Sequence, residues 1–142
     1  MRPLYQQPSD MENEKAVMSD LDRVTQTISA RLPDNYEMDY VSLRNLQPTA
    51  WVEIKCRTNP STLYTDYMLS LGKWESGVGH HSESAPFVLI VRFTDGTFYY
   101  KYDGAFNPRT GWGGRKDRND KQDMEQVVYI PMNKFILLYG AH

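Results

Sequence analysis

The sequence predicts one mixed α/β (α+β) domain with a central mixed sheet of about five strands flanked by helices. Three observations carry that expectation. Apolar residues at Val17, Met18, Leu21, Val24, Ile28 and Leu32 recur in steps of three and four, the mark of an amphipathic helix. From Ala50 to Arg57 the chain alternates instead: Ala50, Val52, Ile54 and Cys56 on one side, Trp51, Glu53, Lys55 and Arg57 on the other, as a half-buried strand requires. Phe87 to Phe93 (FVLIVRF) is a continuous apolar run closed by Asp95-Gly96 and the answering run Thr97 to Tyr102, a strand and its hairpin partner.

The elements follow in order. Residues 1–8, with two prolines and two glutamines, read as a loose arm before a single domain over 9–142. Ser9 and Glu12 form a capping box that starts the first helix. Pro33 ends it at Leu32, because a proline disfavours helical backbone in the residue before it. Tyr36 to Leu43 and Ala50 to Arg57 are then two strands joined by the turn 44–49. Tyr64, Tyr67, Met68, Leu71 and Trp74 share a helical stripe, which predicts a second helix from about Thr62 to Glu75. Ser76 to Ala85, rich in Gly, His and Ser, reads as a loop. After the hairpin comes a polar stretch, 103–124, with four glycines; an unstructured loop of that length is uncommon in a small domain. Val127 to Ile130 forms a short strand ended by Pro131, and the apolar run Phe135 to Tyr139 closes the chain.

Composition narrows the function. The 142 residues carry 16 Lys and Arg against 18 Asp and Glu, a net charge of -2, so nucleic acid would have to be met by a local basic patch. One cysteine and three histidines exclude a disulfide framework and a Cys-rich zinc site. No apolar run approaches the roughly 20 residues of a membrane-spanning helix. The N-terminus lacks the apolar segment of a secretory signal. These features predict a soluble, cytoplasmic protein with no membrane partner.

The sharpest chemical feature is Asp39, Glu53 and Lys55. Glu-Ile-Lys on a strand puts both charged side chains on one face, and an Asp on an antiparallel neighbour can face Glu53 across the ladder. Two hard oxygen ligands on rigid backbone suit Mg²⁺, and the carbonyl of Ile54 adds a third oxygen between them. A nearby cation suits the water and phosphate of phosphodiester cleavage. The plain alternative is an ion pair on a solvated strand face. Glu14 falls on the apolar stripe of the first helix, pointing toward the body of the protein; its plain alternative is an exposed first-turn carboxylate favoured by the helix dipole.

A helix, a strand pair carrying Asp-x13-Glu-Ile-Lys, a helix and an apolar strand together resemble the PD-(D/E)XK nuclease superfamily, the restriction-endonuclease-like fold, over about Met11 to Phe93. The resemblance implies an α-β-β-β-α-β core and a Mg²⁺-dependent nuclease, with Mn²⁺ able to substitute. It implies Asp39 and Glu53 as metal ligands, Lys55 as the residue that orients and helps deprotonate water, and Glu14 as the first-helix acid of many members. Ser70 or Lys73 corresponds to the polar residue many members carry on the second helix. Pro33-Asp34 is a literal Pro-Asp and the competing match, whereas Asp39 lies within the strand. By resemblance the chain is a small phage-type or resolvase-like enzyme cutting DNA in a structure-guided or weakly sequence-specific way, with a homodimer for two cuts.

For nucleic-acid contact the sequence offers Arg57 beside the site face, Lys73 on the second helix, and Arg109, Arg115, Lys116 and Arg118 in the polar stretch, where Trp112 and Phe106 could stack on bases. Tyr99, Tyr100 and Tyr102 read as sheet packing, and His80-His81 as loop residues. A different class remains open: a nucleic-acid- or protein-binding module that keeps the fold without turnover.

Overall fold

A computed structural model describes residues 8–33, 38–114 and 124–140. The element order is α1 (Pro8–Thr25), β1 (Ile28–Arg31), β2 (Tyr40–Arg44), β3 (Gln47–Cys56), β4 (Asp66–Ser70), α2 (Leu71–His80), β5 (Phe87–Phe93), β6 (Gly96–Lys101), β7 (Arg109–Gly114), β8 (Met124–Pro131), a 3-10 turn (Met132–Lys134) and β9 (Ile136–Gly140). A six-stranded sheet runs β1-β2-β3-β5-β6-β9, and a three-stranded sheet runs β4-β8-β7. All neighbours pair antiparallel except β3 and β5, which are parallel. That parallel pair needs a crossover, and the chain supplies it through β4 and α2. The domain is therefore mixed α+β, and α1, β1, β2, β3, α2 and β5 follow the α-β-β-β-α-β order, with β4 interposed.

The large sheet buries both faces. Val52, Ile54, Tyr40 and Ile90 pack against Val17 and Met18 of α1. The opposite face carries Phe87, Leu89, Val91, Phe93 and Tyr100 against Trp74 of α2 and Tyr67, Leu69, Val128 and Ile130 of the small sheet. Strand alternation makes this possible: neighbours along β3 and β5 go to different cores. Tyr100 and Tyr102 pack around Trp74, as the sheet reading of these tyrosines expected.

Four expectations change. The first helix stops at Thr25, seven residues short of Leu32. Gln26 adopts a left-handed backbone, φ 56°, and the chain reverses into β1. Asp22 holds the reversal, accepting from Thr27 Oγ1 at 2.9 Å, Ser29 N at 3.1 Å and Ser29 Oγ at 2.6 Å. Ile28, counted on the helical stripe, is 75% exposed on an edge strand. Helical spacing that persists across a turn is coincidence, and side-chain hydrogen bonds from Asp, Ser and Thr compete with a helix in just this way.

The expected helix over 62–75 is β4 followed by α2. Tyr67 and Leu69 are buried and Met68 is exposed, a period of two. Ser70 caps α2, its hydroxyl accepting from Lys73 N at 3.2 Å, and the expected loop 76–85 is helical as far as His80. The glycines that suggested a loop include Gly77, where an added Cβ would stand 2.4 Å from the Phe87 ring. Close helix–strand approach, not chain reversal, explains that residue.

Within the expected loop 103–124, residues 109–114 form β7, paired with β8 from Arg109↔Tyr129 to Gly114↔Met124. The remaining part of that stretch, 115–123, lies outside the described residues, as do most of the N-terminal arm, the start of the expected strand at Tyr36, and Asp34. The fourth change is strand count: six in the central sheet rather than about five, because β1, read as helix, and β9 join it while the expected strand Val127 to Ile130 falls in β8 of the small sheet. The turn 44–49 is tighter than expected, with positive φ at Asn45 (52°) and Leu46 (63°), as hairpin turns of matching twist require.

Gly77 and Gly79 test this packing on one helix. Gly77→Ala forces its methyl against Phe87 and should cost about 1–3 kcal/mol. Gly79→Ala meets nothing within 4 Å and should leave stability unchanged or raise it by about 0.5–1 kcal/mol. Urea unfolding of the two variants beside the parent measures both.

Candidate active site

Asp39 is fixed through its backbone and its side chain. Its N–H donates to the Val52 carbonyl at 3.2 Å, and its own carbonyl accepts from Leu32 N at 2.9 Å. Its Oδ2 accepts from Ile54 N at 2.9 Å in a buried setting. The β2–β3 register begins at Tyr40↔Val52, so Asp39 stands one position before it, opposite Glu53. Both lie on the face turned toward α2, since their neighbours Tyr40 and Val52 pack toward α1.

Glu53 is 1% exposed, in the middle of the large sheet between β2 and β5. Two ammonium groups hold it: Lys55 Nζ lies 3.6 Å from Oε2, and Lys73 Nζ lies 3.2 Å from Oε1. Lys55 follows from the strand period. Lys73 comes from the first turn of α2, which Ser70 caps, so the helix start aims its cation at the carboxylate. Burial pushes the Glu53 carboxyl up to about 8; Asp39 adds to the rise by charge and by a hydrogen bond, while Lys55 and Lys73 oppose it. A carboxylate this deep in the protein is destabilising unless cations neutralise it.

The structure thus brings Asp39, Glu53 and Lys55 together on one face, and adds Lys73. The resemblance offers Ser70 or Lys73 as the polar residue of the second helix, and Lys73 is also a candidate nucleic-acid contact; here its side chain is nearly buried against Glu53. The Ser70-x-x-Lys73 cap was the available signal, hidden by reading 62–75 as one helix. Glu14 is not an exposed first-turn carboxylate: it is 7% exposed in α1, one turn before Val17. The charges acting most strongly on Glu53 are those of Lys55, Asp39 and Lys73. Among the described residues no three His, Cys, Asp or Glu side chains gather as a metal cluster.

Strand parity directs the Ile54 carbonyl to the same side as its N–H, toward Asp39. The oxygen donors available to a cation are then Asp39, Glu53 and this carbonyl. Mg²⁺ is held by one or two carboxylates and keeps several waters, and so this set of hard oxygens fits it. Soft donors are lacking: Cys56, the sole cysteine, is half-buried at the end of β3.

Arg57 and Arg109 meet at a groove next to this site. Arg57 lies over the Tyr67 ring at 5.2 Å from its centre, and Arg109 over Tyr129 at 4.2 Å. Tyr67, which sequence reasoning treated as core alone, links the two regions. Burial pushes its phenol up to about 12, with Arg57 lowering it and Glu53 raising it. Phe106 is packing and not a free platform, set against Trp74 and Tyr100 with Lys134 over its ring. His80 packs on Trp51 with the two rings tilted at 53°, and His81 Nδ1 accepts from Phe87 N. Arg115, Lys116 and Arg118 lie outside the described residues.

Because Glu53 titrates higher in the fold than its ordinary 4.5, its contribution to stability is full below about 4.5 and is lost as pH rises through about 8. In EDTA the protein should melt lower at pH 8 than at pH 5.5, and Glu53→Gln should flatten that slope. Calorimetric melts across this pH range measure it.

No helix among the described residues is long and apolar enough to cross a membrane. None of the curated proteins matches the chain. The family model described as "Phage putative PDDEXK endonuclease" matches residues 1–138. With nearly the whole chain under that match, and an Asp, Glu and Lys side by side on its central strands, the protein belongs to this phage PD-(D/E)XK family.

Proposed function

We propose that the protein is a Mg²⁺-dependent endonuclease that hydrolyses phosphodiester bonds in DNA, with Asp39, Glu53 and Lys55 at its centre. The observation that carries this reading is the placement of two buried carboxylates across the β2–β3 pair with the Lys55 ammonium 3.6 Å from Glu53. The family description supports the same class of reaction.

Asp39 and Glu53 would hold the cation, with the Ile54 carbonyl as the backbone ligand. When bound, the ion supplies a lowered water pKa and neutralises charge on the phosphate oxygens. Lys55 orients the attacking water, assists its deprotonation and offsets negative charge as it builds on phosphorus in line with the leaving oxygen. Lys73 lies 3.2 Å from Glu53 Oε1, where its ammonium would offset the negative charge of the carboxylates and of a bound phosphate. Arg57, two residues beyond Lys55, holds a neighbouring phosphate. Cutting both strands of a duplex takes a second copy of the chain, so a homodimer on DNA completes the proposal.

One observation favours a second reading, a binding module without turnover. Lys55 and Lys73 together face both oxygens of Glu53, a closed ion-pair network that needs no metal. The two readings part on chemistry. With plasmid, linear, single-stranded and branched DNA, and RNA for comparison, the endonuclease cleaves DNA in Mg²⁺ or Mn²⁺ and is silent in EDTA. Glu53→Gln and Lys55→Ala should each lower the rate by about 10²-fold or more, a loss of roughly 2.7 kcal/mol in transition-state stabilisation, while folding is kept. Cleavage at parental rates by either purified variant contradicts the assignment, and absence of cleavage in both metals favours the binding module.

A further inference from the structure

A groove of ≈ 510 Å³ opens beyond the end of β3, between the loop that follows it and the small sheet. That is the size of a pocket for a small ligand, roughly 300–1,000 Å³. Arg57, Tyr64, Tyr67, Arg109, Trp112 and Tyr129 are among its lining residues. Three properties set it apart from ordinary surface. Tyr64 and Trp112 are each 67% exposed, unusual for large aromatic rings. Both arginines lie over aromatic rings, at 5.2 Å and 4.2 Å, which holds two cations at the groove; Arg57 Nη1 donates to the Cys56 carbonyl at 3.2 Å and Arg109 Nη2 pairs with Asp66 at 3.5 Å. And the groove adjoins the strand that carries the carboxylates, because Arg57 follows Lys55 by two residues just beyond the end of β3.

The backbone is shaped to keep the groove open. An added Cβ at Gly111 would stand 2.8 Å from the Tyr129 ring, and one at Gly113 would stand 2.4 Å from the sulfur of Met68. Without side chains there, Tyr129 and Met68 lie against β7, while Trp112, one residue out of step, projects from the other side of the strand and still lines the groove. Asp66 is the acid among the lining residues, 3.5 Å from Arg109; a phosphate would compete with it for that guanidinium.

Exposed aromatic faces with stacked arginines suit one kind of ligand. Bases inside a duplex are already stacked and present only their edges, whereas an unpaired base offers a π-face and its phosphate an anion. We infer that this groove binds single-stranded DNA, one unpaired base against Trp112 and Tyr64 and its phosphates against Arg57 and Arg109, adjacent to the strand position cleaved at Asp39 and Glu53. The adjacency rests on the endonuclease reading above; the single-strand subsite rests on the groove itself. The substrate class is then DNA with an unpaired segment next to the cut, such as a flap, a gap or a branch.

The test is fluorescence anisotropy with the full chain in EDTA, using a dye-labelled single-stranded oligodeoxynucleotide, its duplex, and RNA of the same sequence. Single-stranded DNA should bind about tenfold or more tightly than duplex, and Trp112→Ala should weaken it about tenfold, the order expected for one lost stack. Trp112→Phe should restore most of the loss, and duplex affinity should stay within about twofold throughout. Tyr64→Ala, in a loop remote from the cores, gives a second variant that keeps the fold. Equal affinity for single strand and duplex, unchanged binding by both alanine variants, or tighter binding of RNA than DNA each overturns the inference. Because EDTA removes cleavage, the two readings fail separately. A single-strand preference in a protein inert with Mg²⁺ supports the subsite and overturns the nuclease; Mg²⁺-dependent cleavage without that preference does the reverse.

Discussion

The structure turns on the burial of one carboxylate. Glu53 sits in the middle of a six-stranded sheet at 1% exposure, where an isolated charge is very costly. Two ammonium groups answer that cost, and one carboxylate adds to it. Lys55 lies at the strand period, Lys73 arrives from a helix capped three residues earlier, and Asp39 is pinned opposite by three hydrogen bonds through its backbone and Oδ2. A carboxylate pair held this close, with Asp39 raising the proton affinity of Glu53, is an arrangement a divalent cation would relieve.

The supporting architecture explains why the pair is so rigid. β3 gives alternate residues to two different cores. Val52 and Ile54 lock into α1, while Trp51, Glu53 and Lys55 face α2 and the small sheet. A one-residue slip of β3 would turn its charges toward α1 and Val52 and Ile54 toward α2 and the small sheet, so the register that builds the cores also places Glu53 and Lys55. The parallel pairing of β3 with β5 forces the intervening chain to cross over, and that crossover is the segment that delivers Ser70, Lys73 and Tyr67. Site and groove are thus products of one connection.

The sequence made the local half of this legible. Alternation over Ala50–Arg57 showed that Glu53 and Lys55 share a face, and the apolar run Phe87–Phe93 marked the strand beside them. Asp39 was placed opposite Glu53 from pairing geometry alone. What stayed hidden depended on tertiary contacts. Val24, Ile28 and Leu32 kept helical spacing across a turn that Gln26 and Asp22 make. Tyr64, Tyr67, Met68, Leu71 and Trp74 mimicked a helix although Tyr67 and Leu69 are strand residues buried in the core. Lys73 could not be paired with Glu53 while its helix was taken to begin nine residues too early. The resemblance to PD-(D/E)XK nucleases survived these errors because Glu53 and Lys55 lie on β3 and Asp39, expected within the strand, stands immediately before β2 and opposite Glu53.

The central claim is that Asp39 and Glu53 together hold a divalent cation, and titration calorimetry of Mn²⁺ into the metal-free full chain tests it most directly. The account predicts one Mn²⁺ bound per chain, proton release on binding, and loss of the heat in both Asp39→Asn and Glu53→Gln. Undiminished binding by the two variants, or no binding by the parent protein, would contradict it and leave the buried carboxylates as an ion-pair network closed by Lys55 and Lys73.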